Sequence, residues 1–121
     1  MVKALFDTNI LIDYLNAVPQ ARHELRRHSA KSISLVTWME VLVGAAPERE
    51  AATRSFLATF DILAIDSRVA ERAVELRRSL RIRLPDAIVW ATAQVHSTLL
   101  VTRNTKDFPA NHPGVHVPYR L

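Results

Sequence analysis

Short apolar segments rich in β-branched residues alternate with longer segments of helical periodicity along the chain, and this alternation constrains the fold most strongly. Strands are predicted at residues 2–6, 32–36, 62–65 and 98–101, with a short fifth strand at 115–117. Because helical segments separate most of the strands, neighbouring strands should run parallel, with helices covering both faces of the sheet. We therefore predict an α/β fold of three layers, α/β/α, with a mainly parallel sheet of four or five strands.

Start and stop signals set the bounds of the helical segments. Thr37 is the predicted N-cap of the segment after the second strand, and Gly44 suits its end. Asp66 or Ser67 is the predicted cap of the longest segment. The last segment is apolar nearly all round, which predicts a buried helix. The predicted helices lie at residues 10–15, 19–28, 37–43, 47–60, 67–80 and 86–96.

Length and composition indicate one domain. The chain has 121 residues, of which 49% are apolar and 23% are charged, as in ordinary globular domains. No repeat, linker or low-complexity segment interrupts it, so residues 1–121 are predicted to form a single domain. The absence of cysteine excludes disulfides and thiolate metal sites, and it fits a reducing cytoplasm.

The distribution of apolar residues predicts a cytoplasmic protein without a membrane segment. Asp7 falls too early for the apolar part of a secretory signal. The most apolar later stretch, residues 87–93, is far shorter than the roughly 20 residues that span a bilayer.

The chain is basic, with a net charge of +4 and a sequence pI of about 10.1. A basic balance favours a polyanionic partner such as nucleic acid, because each phosphate contact releases counterions. Solvated helix faces account for the arginines equally well. The arginine clusters lie at residues 26–27, 77–78, 81 and 83.

Three acidic residues stand at places where the predicted fold could use them. Asp7 ends the first strand, and Glu40 lies one turn into the helix after the second, so both should lie at the carboxyl edge of the sheet, where ligands bind. Asp86 opens the helix that leads into the fourth strand. That order by itself predicts the opposite edge, unless the helix packs beside the first strand.

Asp86 is also the one acid of an otherwise apolar helix. A buried carboxylate costs several kcal/mol unless a cation, hydrogen-bond donors or a metal compensates it. Oxygen ligands in a chain without cysteine suit hard cations such as magnesium or manganese.

Each acid also has a purely structural explanation, and taken singly that explanation is the commoner one. Thr37 and Glu40 have the spacing of a capping box, and Asp7 could cap the helix that follows it. Asp86 could stabilise a helix dipole, and Asp107 could belong to a turn.

Four segments in register resemble the motifs of PIN-domain nucleases, especially VapC-type toxins of bacterial toxin–antitoxin pairs. Any one of these motifs is weak, but together they cover nearly the whole chain. Trp38 departs from the pattern, which has a smaller residue there. The segments are Asp7-Thr8-Asn9, Ser34 to Gly44, Leu84 to Ala93 and Thr102 to Phe108, followed by a similar tail, Val117 to Leu121.

The resemblance implies a metal-dependent ribonuclease that uses Mg²⁺, with Mn²⁺ as a substitute. It also implies that the acid of the third motif reaches the same pocket as the others. The implied catalytic and metal-binding acids are Asp7, Glu40, Asp86 and Asp107. The implied supporting residues are Thr8, Asn9, Thr102 and Asn104. Asp107 is either a direct ligand or a residue that positions water or a second ion.

The implied partners are an RNA substrate, a cognate antitoxin and a second copy of the chain, the last through apolar helices near Tyr14 and Trp38. Two alternatives stay open: a non-catalytic module that binds RNA or protein, and a nuclease that acts on DNA. A zinc pair of His112 and His116 is disfavoured because a proline and a glycine between them oppose a helix. Aspartyl-phosphate chemistry at Asp7 would require a second acid at position 9, which is Asn9.

Overall fold

The computed structural model describes residues 3–121, and the start of the first strand predicted at Val2 lies outside the described residues. The described strands form one sheet of five in the order β3-β2-β1-β4-β5, and every neighbouring pair is parallel. The predicted α/β class and parallel sheet are therefore confirmed. The strands are β1 (Ala4–Phe6), β2 (Lys31–Ser34), β3 (Asp61–Leu63), β4 (Leu99–Val101) and β5 (Val115–His116).

Six α-helices are present in this part of the chain. They are α1 (Thr8–Leu15), α2 (Pro19–Arg26), α3 (Leu35–Val43), α4 (Glu50–Leu57), α5 (Ser67–Leu80) and α6 (Leu84–Val95). The segment predicted as one helix over residues 47–60 is instead a 3₁₀ turn, Pro47–Arg49, followed by α4. None of the helices described over residues 3–121 has the length and apolarity needed to cross a membrane.

Two apolar cores lie on opposite faces of the sheet, which gives the three layers that were predicted. In β1, Leu5 belongs to the core beneath α5 and α6, whereas Phe6 belongs to the core beneath α1 to α4. In β4, Leu100 and Val101 divide in the same way. This division follows from the alternation of side chains along a strand.

The junction of β2 and α3 differs from the prediction. Ser34 is the N-cap of α3, with an extended ψ of 150°, and its hydroxyl accepts a hydrogen bond from the Val36 amide at 3.2 Å. The strand therefore passes directly into the helix, and Leu35 and Val36, which were predicted to continue the strand, are helical. Thr37 is a buried residue inside the first turns of the helix. The prediction of Thr37 as the N-cap is therefore wrong, and the capping-box explanation of Glu40 fails with it.

Candidate active site

Asp7 lies at the point where the direction of chain progression across the sheet changes. The chain moves outward from β1 to β2 and β3, and then returns to place β4 on the other side of β1. Such a reversal opens a crevice at the carboxyl ends of the two central strands. Asp7 follows β1 directly, and its amide donates to the Val101 carbonyl of β4 at 2.9 Å. Thr102 follows β4 and enters the same crevice.

Three hydrogen-bond donors hold the buried carboxylate of Asp7 in place. Its Oδ1 atom accepts from the Thr8 amide at 2.8 Å. Its Oδ2 atom accepts from the Thr102 hydroxyl at 2.8 Å and from the Asn9 side-chain amide at 3.0 Å. Asp7 is also the N-cap of α1, so the capping role and a place in the site coexist.

Burial nevertheless raises the pKa of Asp7 to about 6 from an ordinary value of 3.8. The nearby charges of Asp86 and Glu40 raise this pKa further, and the hydrogen bonds from Thr102 and Thr8 oppose the shift. The pocket is therefore a place where negative charge is unfavourable until a cation compensates it.

Glu40 reaches the site from α3, which begins where β2 ends. The Thr8 hydroxyl donates to its Oε1 atom at 2.8 Å and lies 3.0 Å from the Thr37 hydroxyl. The Thr8 side chain therefore links the first motif to the second. Glu40 itself is exposed to solvent, in contrast to Asp7.

Asp86, in the first turn of α6, lies at the same edge of the sheet as Asp7, so the opposite edge suggested by its place in the chain is wrong. The last turn of α6 connects to β4 at the amino edge, where the Thr98 amide donates to the Ala93 carbonyl at 2.9 Å. A helix of 12 residues is about 18 Å long, so its first turn lies far toward the carboxyl edge.

The surroundings of Asp86 combine burial with charges of both signs. Burial raises the pKa of Asp86, and the adjacent carboxyl of Asp107 contributes to the rise, whereas the Arg83 guanidinium opposes it. Arg83 Nε lies 3.2 Å from Asp86 Oδ2. Asp107 is held in turn by Asn104, whose side-chain amide donates to Asp107 Oδ2 at 3.0 Å.

A cavity of about 280 Å³ opens among these groups. Asp107 is not part of its wall and joins the cluster through Asp86. All of the predicted site residues thus line the cavity or contact a residue that does. The lining residues are Asp7, Thr8, Asn9, Ile12, Glu40, Arg83, Asp86, Arg103 and Asn104.

The chemistry of this donor set fits a hard cation. The side chains offer carboxylate, hydroxyl and amide oxygens. The raised pKa values of Asp7 and Asp86 indicate that a positive charge in the cavity would stabilise their ionised forms. Within residues 3–121, no three Asp, Glu or His side chains are arranged to ligate one ion together. Mg²⁺ keeps several of its waters and takes only one or two carboxylates directly, so binding it would not require three such ligands around one point.

Sequence reasoning missed a polar group that borders the cavity. Buried Asp13 of α1 accepts from Arg103 Nε at 2.6 Å and Nη2 at 2.8 Å, and from the Tyr119 hydroxyl at 2.8 Å. The bonds from Arg103 lower the pKa of Asp13 despite its burial. The Arg103 amide donates to Asn9 Oδ1 at 3.3 Å, so this group also holds the first motif. Asp13 is the one acid within α1, and that signal could have revealed it.

The model of the PIN domain family matches residues 4–111. The chain therefore belongs to the PIN-domain family. Ribonuclease VapC10 of Mycobacterium tuberculosis is 31% identical over 113 residues, which cover 87% of this chain and 85% of that protein. The resemblance inferred from the four motifs is confirmed.

Solved structures agree with this assignment. A toxin–antitoxin complex from Klebsiella pneumoniae contains a chain that is 50% identical, with a TM-score of 0.93. The alignment covers 98% of this chain and all of that one. DNA-bound VapBC from Salmonella typhimurium is 26% identical, with a TM-score of 0.79, and the alignment covers 96% of each chain.

Proposed function

We propose that this chain is a magnesium-dependent endoribonuclease, and that it is the toxin of a type II toxin–antitoxin pair. The observation that supports this most directly is the meeting of the four motif acids around one cavity. Asp7, Glu40 and Asp86 line the cavity, and Asp107 contacts Asp86. The name of the M. tuberculosis relative, a ribonuclease, supports RNA as the substrate.

Asp7, Glu40 and Asp86 would hold the ion, directly or through its water, and Asp107 would position water or a second ion. When bound, Mg²⁺ lowers the pKa of a water and offsets the charge of the phosphoryl oxygens. Mn²⁺ would serve as a substitute.

The supporting residues orient the acids. Thr102 and Asn9 both donate to Oδ2 of Asp7, which fixes the carboxylate plane in the crevice. Thr8 directs Glu40, and Asn104 directs Asp107. Preorganised groups of this kind need no rearrangement when charge develops on the substrate.

Conservative substitution of the acids tests the proposal. Asp7→Asn and Asp86→Asn should abolish cleavage of single-stranded RNA while circular dichroism shows a retained fold. Asp61→Asn is the matched control, because Asp61 is an exposed acid at the start of β3, away from the site. Chelation should stop RNA cleavage by the wild type until Mg²⁺ or Mn²⁺ is added back. Undiminished cleavage by the Asp7→Asn protein would refute the proposed active site. Cleavage of matched RNA and DNA oligomers distinguishes a ribonuclease from a nuclease that acts on DNA.

The proposed partner is a small antitoxin that blocks this cavity by placing a cationic side chain among its carboxylates. The toxin–antitoxin complexes among the structural relatives support such a partner. We expect the chain to act in the cytoplasm. Its expression alone should arrest the growth of the cells, and coexpression of the neighbouring gene should relieve the arrest. Harmless expression of a catalytically active chain would contradict the toxin assignment.

Homodimerisation is proposed through α3. On this helix Met39 is 41% exposed and Val43 is 87% exposed. Tyr14 is less available, because its ring stacks on Phe56 with centroids 4.6 Å apart. Trp38 is half-buried, with the Arg54 guanidinium 5.5 Å above its ring.

A further inference from the structure

Two guanidinium groups border the acidic cavity, and they are held very differently. Arg103 makes a two-point pair with buried Asp13, and its side chain is 33% exposed. Arg83 makes a single contact, 3.2 Å from Nε to Asp86 Oδ2, and its side chain is 78% exposed. Arg83 is therefore the guanidinium of the two that can reach another partner, because it makes one contact and lies mostly in solvent. The Asp86 side chain is only 10% exposed, so its charge requires another cation once Arg83 leaves.

The backbone of Arg83 is held by the helix, whereas its side chain is mostly exposed. Arg83 is the N-cap of α6, with φ −63° and ψ 149°, and its carbonyl accepts the Ala87 amide at 3.0 Å. Its side chain makes no capping hydrogen bond and turns instead over the first helical turn to Asp86. This arrangement places a largely exposed cation at the rim of the cavity.

The acidic cluster creates a difficulty for an RNA substrate, because its negative field repels phosphates. A guanidinium relieves this repulsion, since it presents several N–H donors in a plane that matches phosphate oxygens. While Arg83 is paired with Asp86, however, it occupies the same carboxylate that the proposed function assigns to the ion. Moving Arg83 from Asp86 to a phosphate would remove both conflicts at once.

We propose that Arg83 is an RNA-backbone-binding residue that pairs with Asp86 in the free protein and exchanges it for a substrate phosphate. This inference rests on the proposed function, because it takes RNA as the ligand of the cavity. It assigns a role to a residue that the four motif acids and their supporting residues do not include.

The first experiment measures binding of a short, mixed-sequence single-stranded RNA in the presence of chelator, so that no cleavage occurs. Arg83→Gln should weaken binding about three- to tenfold, because one charge-assisted contact is lost. It should also lower the slope of log affinity against log salt by about 0.7, the value for one phosphate contact on a single strand. Arg83→Lys should keep most of the slope.

Arg78→Gln is the matched control, because Arg78 is an exposed arginine of α5 and its substitution removes the same charge. Equal affinities and equal slopes for the Arg83→Gln and Arg78→Gln proteins would overturn the proposal. Thermal melts of each variant establish that the fold is retained.

A double-mutant cycle tests the exchange itself. Asp86→Asn should strengthen RNA binding in any background, because it removes a repelling charge. If Arg83 must leave Asp86 to reach phosphate, the gain should be larger in the wild-type background than in the R83Q background. Equal gains in the two backgrounds would overturn the exchange.

The outcomes of these measurements distinguish failure of the Arg83 proposal from failure of the proposed function. If wild-type protein binds RNA with an Arg83-dependent salt slope yet never cleaves it with Mg²⁺, the nuclease assignment fails and the Arg83 contact stands. If the wild type cleaves RNA but substitution of Arg83 leaves the salt slope unchanged, the Arg83 contact is refuted and the nuclease assignment stands.

Discussion

At the scale of the residue, Asp7 combines two properties that are normally opposed. Its carboxylate accepts hydrogen bonds from Thr8, Asn9 and Thr102, each of which favours the charged form. Burial outweighs them, and the pKa rises to about 6. A residue whose only task was to cap α1 would do so at lower cost on the surface.

The raised pKa predicts how the stability of the ion-free protein depends on pH. The pKa of Asp7 is about 6 in the folded chain against an ordinary value of 3.8, so between these values the folded state binds more protons than the unfolded state. Stability from this group is therefore present below about pH 4 and is lost as the pH rises through 6, by roughly 3 kcal/mol for a pKa raised from 3.8 to about 6.

Asp7→Asn removes this titration, so the wild type should lose stability relative to the variant as pH rises from about 4 to 7. Denaturant unfolding in chelator, repeated across that range, measures the difference. The Asp61→Asn protein should follow the wild type, since Asp61 is exposed. A difference between wild type and Asp7→Asn that does not change with pH would show that Asp7 titrates normally.

Two buried acids carry the same sequence signal, and only one was recognised. Asp86 and Asp13 are each the one acid of their helix, among apolar neighbours. The four-motif resemblance selected Asp86, whereas the partners of Asp13 are 90 and 106 positions away, at Arg103 and Tyr119. Contacts over such separations follow from strand order, which local patterns do not specify.

At the scale of the element, the Asp13 group joins α1 to the loop after β4 and to the C-terminal tail. Arg103→Gln would leave the Asp13 carboxylate buried without its cation, which should destabilise the protein by roughly 3 kcal/mol. Adding Asp13→Asn should restore much of that loss, because no charge then remains buried. Urea unfolding of both single variants and the double variant gives the coupling energy. Strictly additive effects would show that the pair contributes nothing.

The junction of β2 and α3 allows capping and site roles to be tested on one helix. Ser34 caps α3, and Glu40 does not complete a capping box. Ser34→Ala should therefore cost about 1 kcal/mol with or without Mg²⁺. Glu40→Ala without the ion should be neutral within about 0.5 kcal/mol, or stabilising, because it removes a like charge from the cluster.

Magnesium should separate the two variants further. Ligand binding stabilises the folded state by an amount that rises with the logarithm of ligand concentration over Kd. Ser34→Ala should therefore keep the wild-type shift in melting temperature, and Glu40→Ala should lose most of it. Thermal melts at low salt, with and without Mg²⁺, measure these shifts. An unchanged shift in Glu40→Ala would remove Glu40 from the proposed ion site.

Element types could be predicted from the sequence more accurately than their ends. Leu35 and Val36 extend the apolar run of β2, so periodicity alone continued the strand through them. The backbone turns at Ser34 because its hydroxyl satisfies the Val36 amide, and this local bond outweighs strand propensity. The sheet edge predicted for Asp86 was wrong for a different reason, because it depends on the direction in which α6 crosses the sheet.

At the scale of the whole molecule, the chain order explains why distant motifs meet. Alternating strands and helices predicted a parallel sheet, but not the order β3-β2-β1-β4-β5. That order places β1 beside β4, so the segments that follow them, beginning at Asp7 and Thr102, share one crevice. The ends of the strands predicted that these segments share an edge of the sheet, and the resemblance to PIN-domain nucleases supplied that Asp86 joins them.

The apolar surface that the fold leaves exposed leads to a last prediction about assembly. Met39 and Val43 lie on the outer side of α3, and in a dimer they would be withdrawn from water. A double substitution, Met39→Glu with Val43→Glu, would place four like charges across a two-fold interface and should convert a dimer to monomer. Sedimentation equilibrium over a range of concentrations measures the change.

Leu80→Glu provides the control, because Leu80 is an apolar residue of α5 with an exposed fraction of 48%, close to that of Met39. Its mass in solution should equal that of the wild type. RNA cleavage should persist in the monomeric double variant, since Met39 and Val43 do not line the acidic cavity. A double variant that sediments as the wild type does would exclude α3 as the dimer interface, because such charges cannot be buried against their own copies without a large desolvation penalty.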